Sequence, residues 1–258
     1  MAFKYKLVAF DLDGTLALSK QSIDDSMAEI LMDLLSKTKV AVISGGSFEQ
    51  FKIQLLEKLM NQGESEIAPI LANLILLPTD GSCRYGYDVE SGEWKKLHEE
   101  LFPDAIKEKV TKMLESIINE PSYDLPAIIY GERVEDRGTQ ITFSALGQRA
   151  PLELKSKWDP TQSKRLTIKK ELEELIPEID AVVGGTTSID ILPKGFNKAV
   201  GLVQLLKSLD LQKEEIVFIG DAVFPGGNDY SPYEAGIKTI KTAGPEETKQ
   251  IIQDIIKE

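Results

Sequence analysis

The chain has 258 residues, 42 acidic against 30 basic, for a formal net charge of −12; this excludes the basic face that nonspecific nucleic-acid binding needs, while a local cation can still bind a phosphorylated small molecule. No apolar run approaches the roughly 18–20 residues that span a bilayer, and the N-terminal stretch lacks the serial sections of a secretory signal, so a cytoplasmic protein is expected. Cys83 is the only cysteine and His98, in a charged stretch, the only histidine, which excludes an internal disulfide and a His-rich zinc site and leaves acid–base work to carboxylates and lysines.

In chain order, Leu7–Phe10 is a buried-strand candidate ending at Asp11. Met27, Ile30, Leu31, Leu34 and Leu35 have helical spacing, with Ser22 or Asp24 as the cap. Val40–Ile43 is a second strand running into Ser44-Gly45-Gly46; Phe48, Phe51, Leu55 and Leu59 mark a second helix, and Leu74–Leu77 a third strand. This βαβαβ order predicts a parallel sheet with crossover helices. After about residue 83 the pattern changes. A hairpin is expected from Tyr85–Val89 and Glu93–Leu97, a charged helix from Asp104 to about Asn119, and strands at Ala127–Tyr130 and Gln140–Ser144. A helix over Arg165–Leu175 and strands at Ala181–Val183 and Ser188–Leu192 follow. The βα rhythm then returns with a helix from Asn197 to about Ser208, strands at Val217–Ile219 and Ile237–Ile240, and a helix over Glu246–Ile256. The expected fold class is α/β, a Rossmann-like core of residues 1–83 and 186–258 with an inserted α+β unit at 84–185.

Ligands of open parallel sheets gather at the carboxyl ends of the strands. There the sequence places Asp11 and Asp13, Ser44, and Asp221, with Lys198 opening a helix after Gly195-Phe196-Asn197. Crowded carboxylates raise one another's pKa, and a divalent cation removes the conflict. Mg2+ prefers oxygen donors, so Asp11, Asp13 and Asp221 are the expected metal ligands. Asp11 could then attack phosphorus to form an aspartyl-phosphate, with Asp13 two residues on as general acid–base. Lys198 would neutralise developing charge, and Ser44 with the nearby backbone at Gly45 would hold phosphoryl oxygens.

These residues, in this order, resemble the motifs of the haloacid dehalogenase superfamily: Asp11-Leu12-Asp13-Gly14-Thr15, Ser44, Lys198, and Gly220-Asp221 with Asn228-Asp229 in support. The insertion resembles that superfamily's type-IIB cap. Within the group the chain is most similar to the eukaryotic-type phosphomannomutases, through Phe224-Pro225-Gly226-Gly227-Asn228-Asp229 and through Gly184–Asp190 followed by Pro193–Lys198. The resemblance implies that Arg137, Ser188 and Asp190 line a sugar-phosphate pocket. It departs from the family at Gly147-Gln148-Arg149, where the family reads Gly-Arg; either Arg149 takes over that role or the second phosphate clamp is weakened. Ser44 holds the usual hydroxyl position of the superfamily, while Ser47 matches the phosphomannomutase serine, and the sequence leaves the two open.

The function expected is a sugar-phosphate phosphatase, with a hexose-phosphate mutase working through a bisphosphate as the alternative and a non-catalytic phosphate- or metal-binding module as a third. The partner is a small phosphorylated substrate, with neither nucleic acid nor membrane, and a homodimer through the cap is left open.

Overall fold

The computed structural model describes residues 4–61 and 67–257. Its strands are β1 Leu7–Asp11, β2 Lys39–Ile43, β3 Leu74–Leu77, β4 Cys83–Asp88, β5 Glu93–Glu99, β6 Val134–Asp136, β7 Ile141–Ser144, β8 Ile179–Gly184, β9 Ser188–Pro193, β10 Ile216–Gly220 and β11 Lys238–Lys241. The chain packs as two compact units, Met1–Glu99 with Asn197–Glu258, and Glu100–Phe196. The sequence pattern changes at 83 and 186, whereas packing divides the chain at 99/100 and 196/197. The difference arises because the β4–β5 hairpin continues the first sheet, Leu76 pairing with Tyr85, and because β9 is held by β7 and β8.

The first unit is a seven-stranded sheet in the order β11-β10-β1-β2-β3-β4-β5. Its first five strands are parallel, and the hairpin is antiparallel. β1 and β10 are buried along their whole length, as suits continuous apolar runs covered on both faces. Side chains alternate between two cores. Val8, Phe10, Val40, Val42, Val217 and Ile219 pack with Met27, Leu31 and Leu34 of the helix Asp25–Leu35. Leu7, Ala9, Ala41, Ile43, Ile216 and Phe218 pack with Leu202, Leu205 and Leu206 of the helix Lys198–Leu209. Each fully buried large side chain contributes roughly 1.5–3 kcal/mol. The registers Phe10↔Ile219 and Asp11↔Ile43 put the ends of β10, β1 and β2 side by side on one edge. Asp11, Ser44 and Asp221 are the residues that occupy or directly follow those ends.

The second unit is an antiparallel sheet in the order β6-β7-β9-β8. Ile141, Phe143, Ile189, Ile191, Ile179 and Ala181 form its apolar face, packed with Val110 and Leu114 of the helix Asp104–Asn119 and with Ile168 and Leu172 of the helix Ser163–Leu175.

Ala127–Tyr130 is not a strand; the paired segment is Val134–Asp136. Tyr130 instead ties two turns together, its N–H donating to Leu146 O and its carbonyl accepting from Arg149 N, while Ile128 stays 71% exposed. Apolar content alone misread that loop. The expected second helix is interrupted: Phe48–Phe51 and Glu57–Met60 are α-helical, and Lys52–Leu56 between them is a π-helical turn. Among the described residues no helix is long and apolar enough to cross a membrane.

Candidate active site

The chain leaves β1 at Asp11, which is buried, and folds tightly: Gly14 N donates to Ala17 O at 2.7 Å and Leu16 N to Leu12 O at 3.0 Å. Gly14 has φ +91°, and a Cβ there would lie 2.5 Å from Asp221 Oδ2. Only glycine therefore lets this loop press its backbone against Asp221. After β10, the stretch Ala222–Asn228 doubles back, with Gly227 N on Phe224 O at 2.8 Å. That fold returns Asp229, fully buried, beside the strand end. Its Oδ2 accepts from Ala222 N at 3.0 Å, and a Cβ at Gly220 would meet it at 2.5 Å.

Lys198 is the first residue of its helix, whose cap is Asn197, with Oδ1 accepting from Val200 N. The capped turn directs a buried ammonium at two carboxylates: Nζ donates to Asp11 Oδ1 at 2.5 Å and to Asp229 Oδ1 at 2.7 Å. Carboxylate oxygens of Asp11, Asp221 and Asp229 lie within 4.8 Å of one another. Three carboxylates thus surround one ammonium, and the electrostatics follow from that excess. Burial raises the Asp11 carboxyl well above its usual range; Lys198 opposes this, while Asp229 and Asp13 add to it. Burial, then Asp229, raises Asp221. Burial works against the charge on Lys198, but Asp11, Asp229 and Asp80 outweigh it and hold the amine raised and protonated. The donor set is oxygen only, with no thiol or imidazole, and its uncompensated charge is negative. Both features suit a hard divalent cation.

The two serines have different local settings. Ser47 is a helix N-cap in a capping box, its side chain accepting from Gln50 N while Gln50 Oε1 accepts from Ser47 N. Ser44 is buried at the end of β2, its Oγ accepting from Gly46 N at 3.2 Å, with the partly buried Gly45 between them. Asp13 is not part of the acidic trio. Its Oδ1 accepts from Lys20 N at 2.5 Å and from Gln54 Nε2 at 3.0 Å. Asn228 is exposed on the loop that buries Asp229.

Arg137, Arg149, Ser188 and Asp190 belong to the second unit. Ser188 Oγ and Ser144 Oγ are 2.8 Å apart, and Asp190 Oδ1 accepts from Thr142 Oγ1 and Gln140 Nε2 at 2.7 and 2.8 Å. These side chains share the polar face of the sheet, opposite Ile189 and Ile191. Arg137, its side chain largely covered, pairs with Glu135 at 2.8 Å. Arg149 is exposed, its stem near Gly131.

Sequence reasoning gave Asp229 only a supporting part and did not single out Gln54 or Asp80. Asp80 lies in the turn Thr79-Asp80-Gly81, whose residues have φ of 51°, 53° and 91° in succession and are all buried. Two non-glycine residues in that region store roughly 1–3 kcal/mol each. The helix of Lys198 rests on the turn backbone to backbone: a Cβ at Gly201 would lie 2.8 Å from Asp80 O and from Gly81 Cα. The available signal was an Asp-Gly pair closely following the apolar strand β3, after Pro78 and Thr79.

Among known proteins, the chain is 28% identical to a phosphomannomutase of Spinacia oleracea over 99% of this chain and 98% of that protein. Its fold is similar to a haloacid dehalogenase-like hydrolase from Bacteroides thetaiotaomicron (TM-score 0.62, 19% identity, 98% of this chain and 100% of that one). It is also similar to an IMP-bound, N-terminally truncated IMP-nucleotidase of Plasmodium falciparum (TM-score 0.71, 20% identity, 98% and 68%). These two likenesses concern the fold alone. The family model described as eukaryotic phosphomannomutase matches residues 27–258, and the chain belongs to that family.

Proposed function

We propose that the protein is a magnesium-dependent phosphatase acting on a small sugar phosphate through an aspartyl-phosphate on Asp11. The observation that carries this reading is the Lys198 ammonium set between Asp11 and Asp229, with Asp221 alongside. A buried nucleophile beside a fixed positive charge is what phosphoryl transfer needs, because the reaction depends on positioning and on compensating charge at the phosphoryl oxygens. Mg2+ would be held by Asp11, Asp221 and Asp229, and when bound it would screen the substrate's anionic oxygens from the anionic nucleophile. Asp13 keeps a different task. With Oδ1 fixed by Lys20 N and Gln54, its other oxygen protonates the leaving oxygen as Asp11 attacks phosphorus. The same carboxylate then takes the proton from the water that cleaves the acyl phosphate. Ser44 and the Gly45 backbone are assigned to the phosphoryl oxygens, since Ser44 is buried at the end of β2, the strand paired with β1 where Asp11 lies.

Hydrolysis is preferred because of the second unit. A mutase must clamp the distal phosphate of a bisphosphate. Here Arg137 is paired with Glu135, position 148 is glutamine, and Arg149 is exposed. Arg137, Arg149, Ser188 and Asp190 are proposed as substrate-side residues, with the distal clamp weakened. The mutase reading keeps one specific support, the family match across residues 27–258 and relatives named phosphomannomutase. The lone cysteine, a buried thiol outside any disulfide, fits a reducing cytoplasm.

The two readings separate in one assay with mannose 1-phosphate, magnesium and a hexose 1,6-bisphosphate. The phosphatase reading predicts release of inorganic phosphate faster than formation of mannose 6-phosphate. Faster isomerisation than release contradicts it and establishes the mutase.

A further inference from the structure

Gln54 is a buried amide on the π-helical turn Lys52–Leu56. The turn explains how it came to be inside. Gln54, Leu55 and Leu56 are consecutive and all buried, a wide arc for a regular α-helix lying on a core, and the wider turn helps bring the extra residue inward. Leu55 and Leu56 enter the apolar core, and Gln54 faces the loop that follows β1. Its Nε2 donates to Asp13 Oδ1 at 3.0 Å and to Gln21 O at 3.2 Å. Both partners are oxygens that only accept, so the NH2 end of the amide must be the one pointing at them.

The backbone of the turn holds the same loop. Ile53 O accepts from Ser22 Oγ at 2.9 Å, and Gln54 O accepts from Ile23 N at 2.8 Å. Departure from the α-helical pattern makes these carbonyls available to residues 22 and 23. The site thus has a built device: a π turn that docks the loop and, through one side chain, fixes one oxygen of Asp13. With Lys20 N on that same oxygen, the carboxylate plane is set and Oδ2 is left to exchange a proton.

We infer that Gln54 is the positioning residue of Asp13, holding its carboxyl in the orientation that protonates the leaving group. The inference rests on the acid–base role of Asp13 given above. It makes Gln54 matter in proportion to how much a substrate's leaving group needs a proton. A sugar alkoxide needs one; p-nitrophenolate, a weak base, does not.

The test compares kcat/KM on a sugar phosphate and on p-nitrophenyl phosphate for the full chain and three variants. Gln54→Met removes the amide at nearly constant volume, and Gln54→Asn keeps an amide one carbon short of Asp13. Asp13→Asn is the control. Loss of a general acid costs on the order of 10²–10⁴-fold, and misplacing one roughly tenfold to 100-fold. Gln54→Met and Gln54→Asn should each lower the sugar-phosphate value by at least roughly tenfold while leaving p-nitrophenyl phosphate within about twofold, as misplacement of the acid alone requires. Asp13→Asn should show the same selectivity with a larger loss. If Asp13→Asn is selective and neither Gln54 variant is, the positioning role of Gln54 is wrong and that of Asp13 stands. If Asp13→Asn depresses both substrates equally, the acid–base reading fails and the inference falls with it.

Discussion

Among the described residues, each unit holds a buried ionic centre, and these two differ in stoichiometry. In the second unit Arg165 and Asp159 are both nearly inaccessible. Asp159 accepts from Arg165 Nε at 2.9 Å and from the N–H groups of Lys164 and Arg165 at 3.1 Å, while Arg165 Nη1 donates to the carbonyls of Gly184 and Gly185. One positive and one negative group meet, and carbonyls and amides take up their remaining capacity. In the first unit one ammonium faces Asp11 and Asp229 directly, with Asp221 beside them. That centre carries excess negative charge on its own side chains, which the proposed cation would offset. The compensated centre suits a folding role, and the uncompensated one suits the proposed cation. Burial alone does not distinguish them.

The comparison breaks most visibly if the compensated centre is disrupted. Arg165→Met leaves Asp159 buried without its partner, which costs about 3–5 kcal/mol. Urea titration should show that loss while kcat of the surviving folded enzyme stays near wild type. A large fall in kcat with unchanged stability would mean that the second centre is also functional.

Next in size is Asp221→Asn. It removes one charge from the excess and should raise the magnesium concentration for half-maximal activity by on the order of 100-fold, since even indirect supports of metal ligands are worth 10–100-fold. An unchanged magnesium titration would remove Asp221 from the cation site.

The smallest effect is the pH dependence of the compensated centre. Burial would raise the Asp159 carboxyl, but the Arg165 side chain and the Lys164 and Arg165 amides outweigh it and hold it below the usual range. A carboxyl lowered in the folded state stabilises the fold above its unfolded pKa of about 3.9, and that stability is lost as pH falls through the folded value. The stability advantage of the wild type over Asp159→Asn should therefore be full at neutral pH and shrink below about pH 4. An advantage that grows on acidification would reverse the assignment.

What the sequence disclosed and what it hid follow the same physical line. β1 and β10 were legible because each is a short, wholly apolar run stopped by an aspartate, and the strand-end rule then located Asp11 and Asp221. Lys198 was legible from the turn before its helix. Asp229 as a partner of Lys198 was not, because its place depends on how the Gly226-Gly227 loop doubles back. Gln54 was hidden by the π turn: helical spacing over Phe48–Leu59 assumes a constant period, and the side chain that bonds Asp13 sits where the period changes. Ala127–Tyr130 failed in the opposite sense, an apolar stretch whose backbone bonds belong to turns. Regular structure and strand ends are local properties. Asp229 and Gln54 acquire their contacts with Lys198 and Asp13 from long-range closure.

The central claim is that Asp11 accepts a phosphoryl group, and rapid quench of the enzyme with isotope-labelled sugar phosphate and magnesium tests it most directly. The account predicts label transiently bound to the peptide containing Asp11, cleaved by hydroxylamine as an acyl phosphate and absent in Asp11→Asn, which should also lose turnover. Label carried by another residue, or turnover that survives in Asp11→Asn, would contradict it.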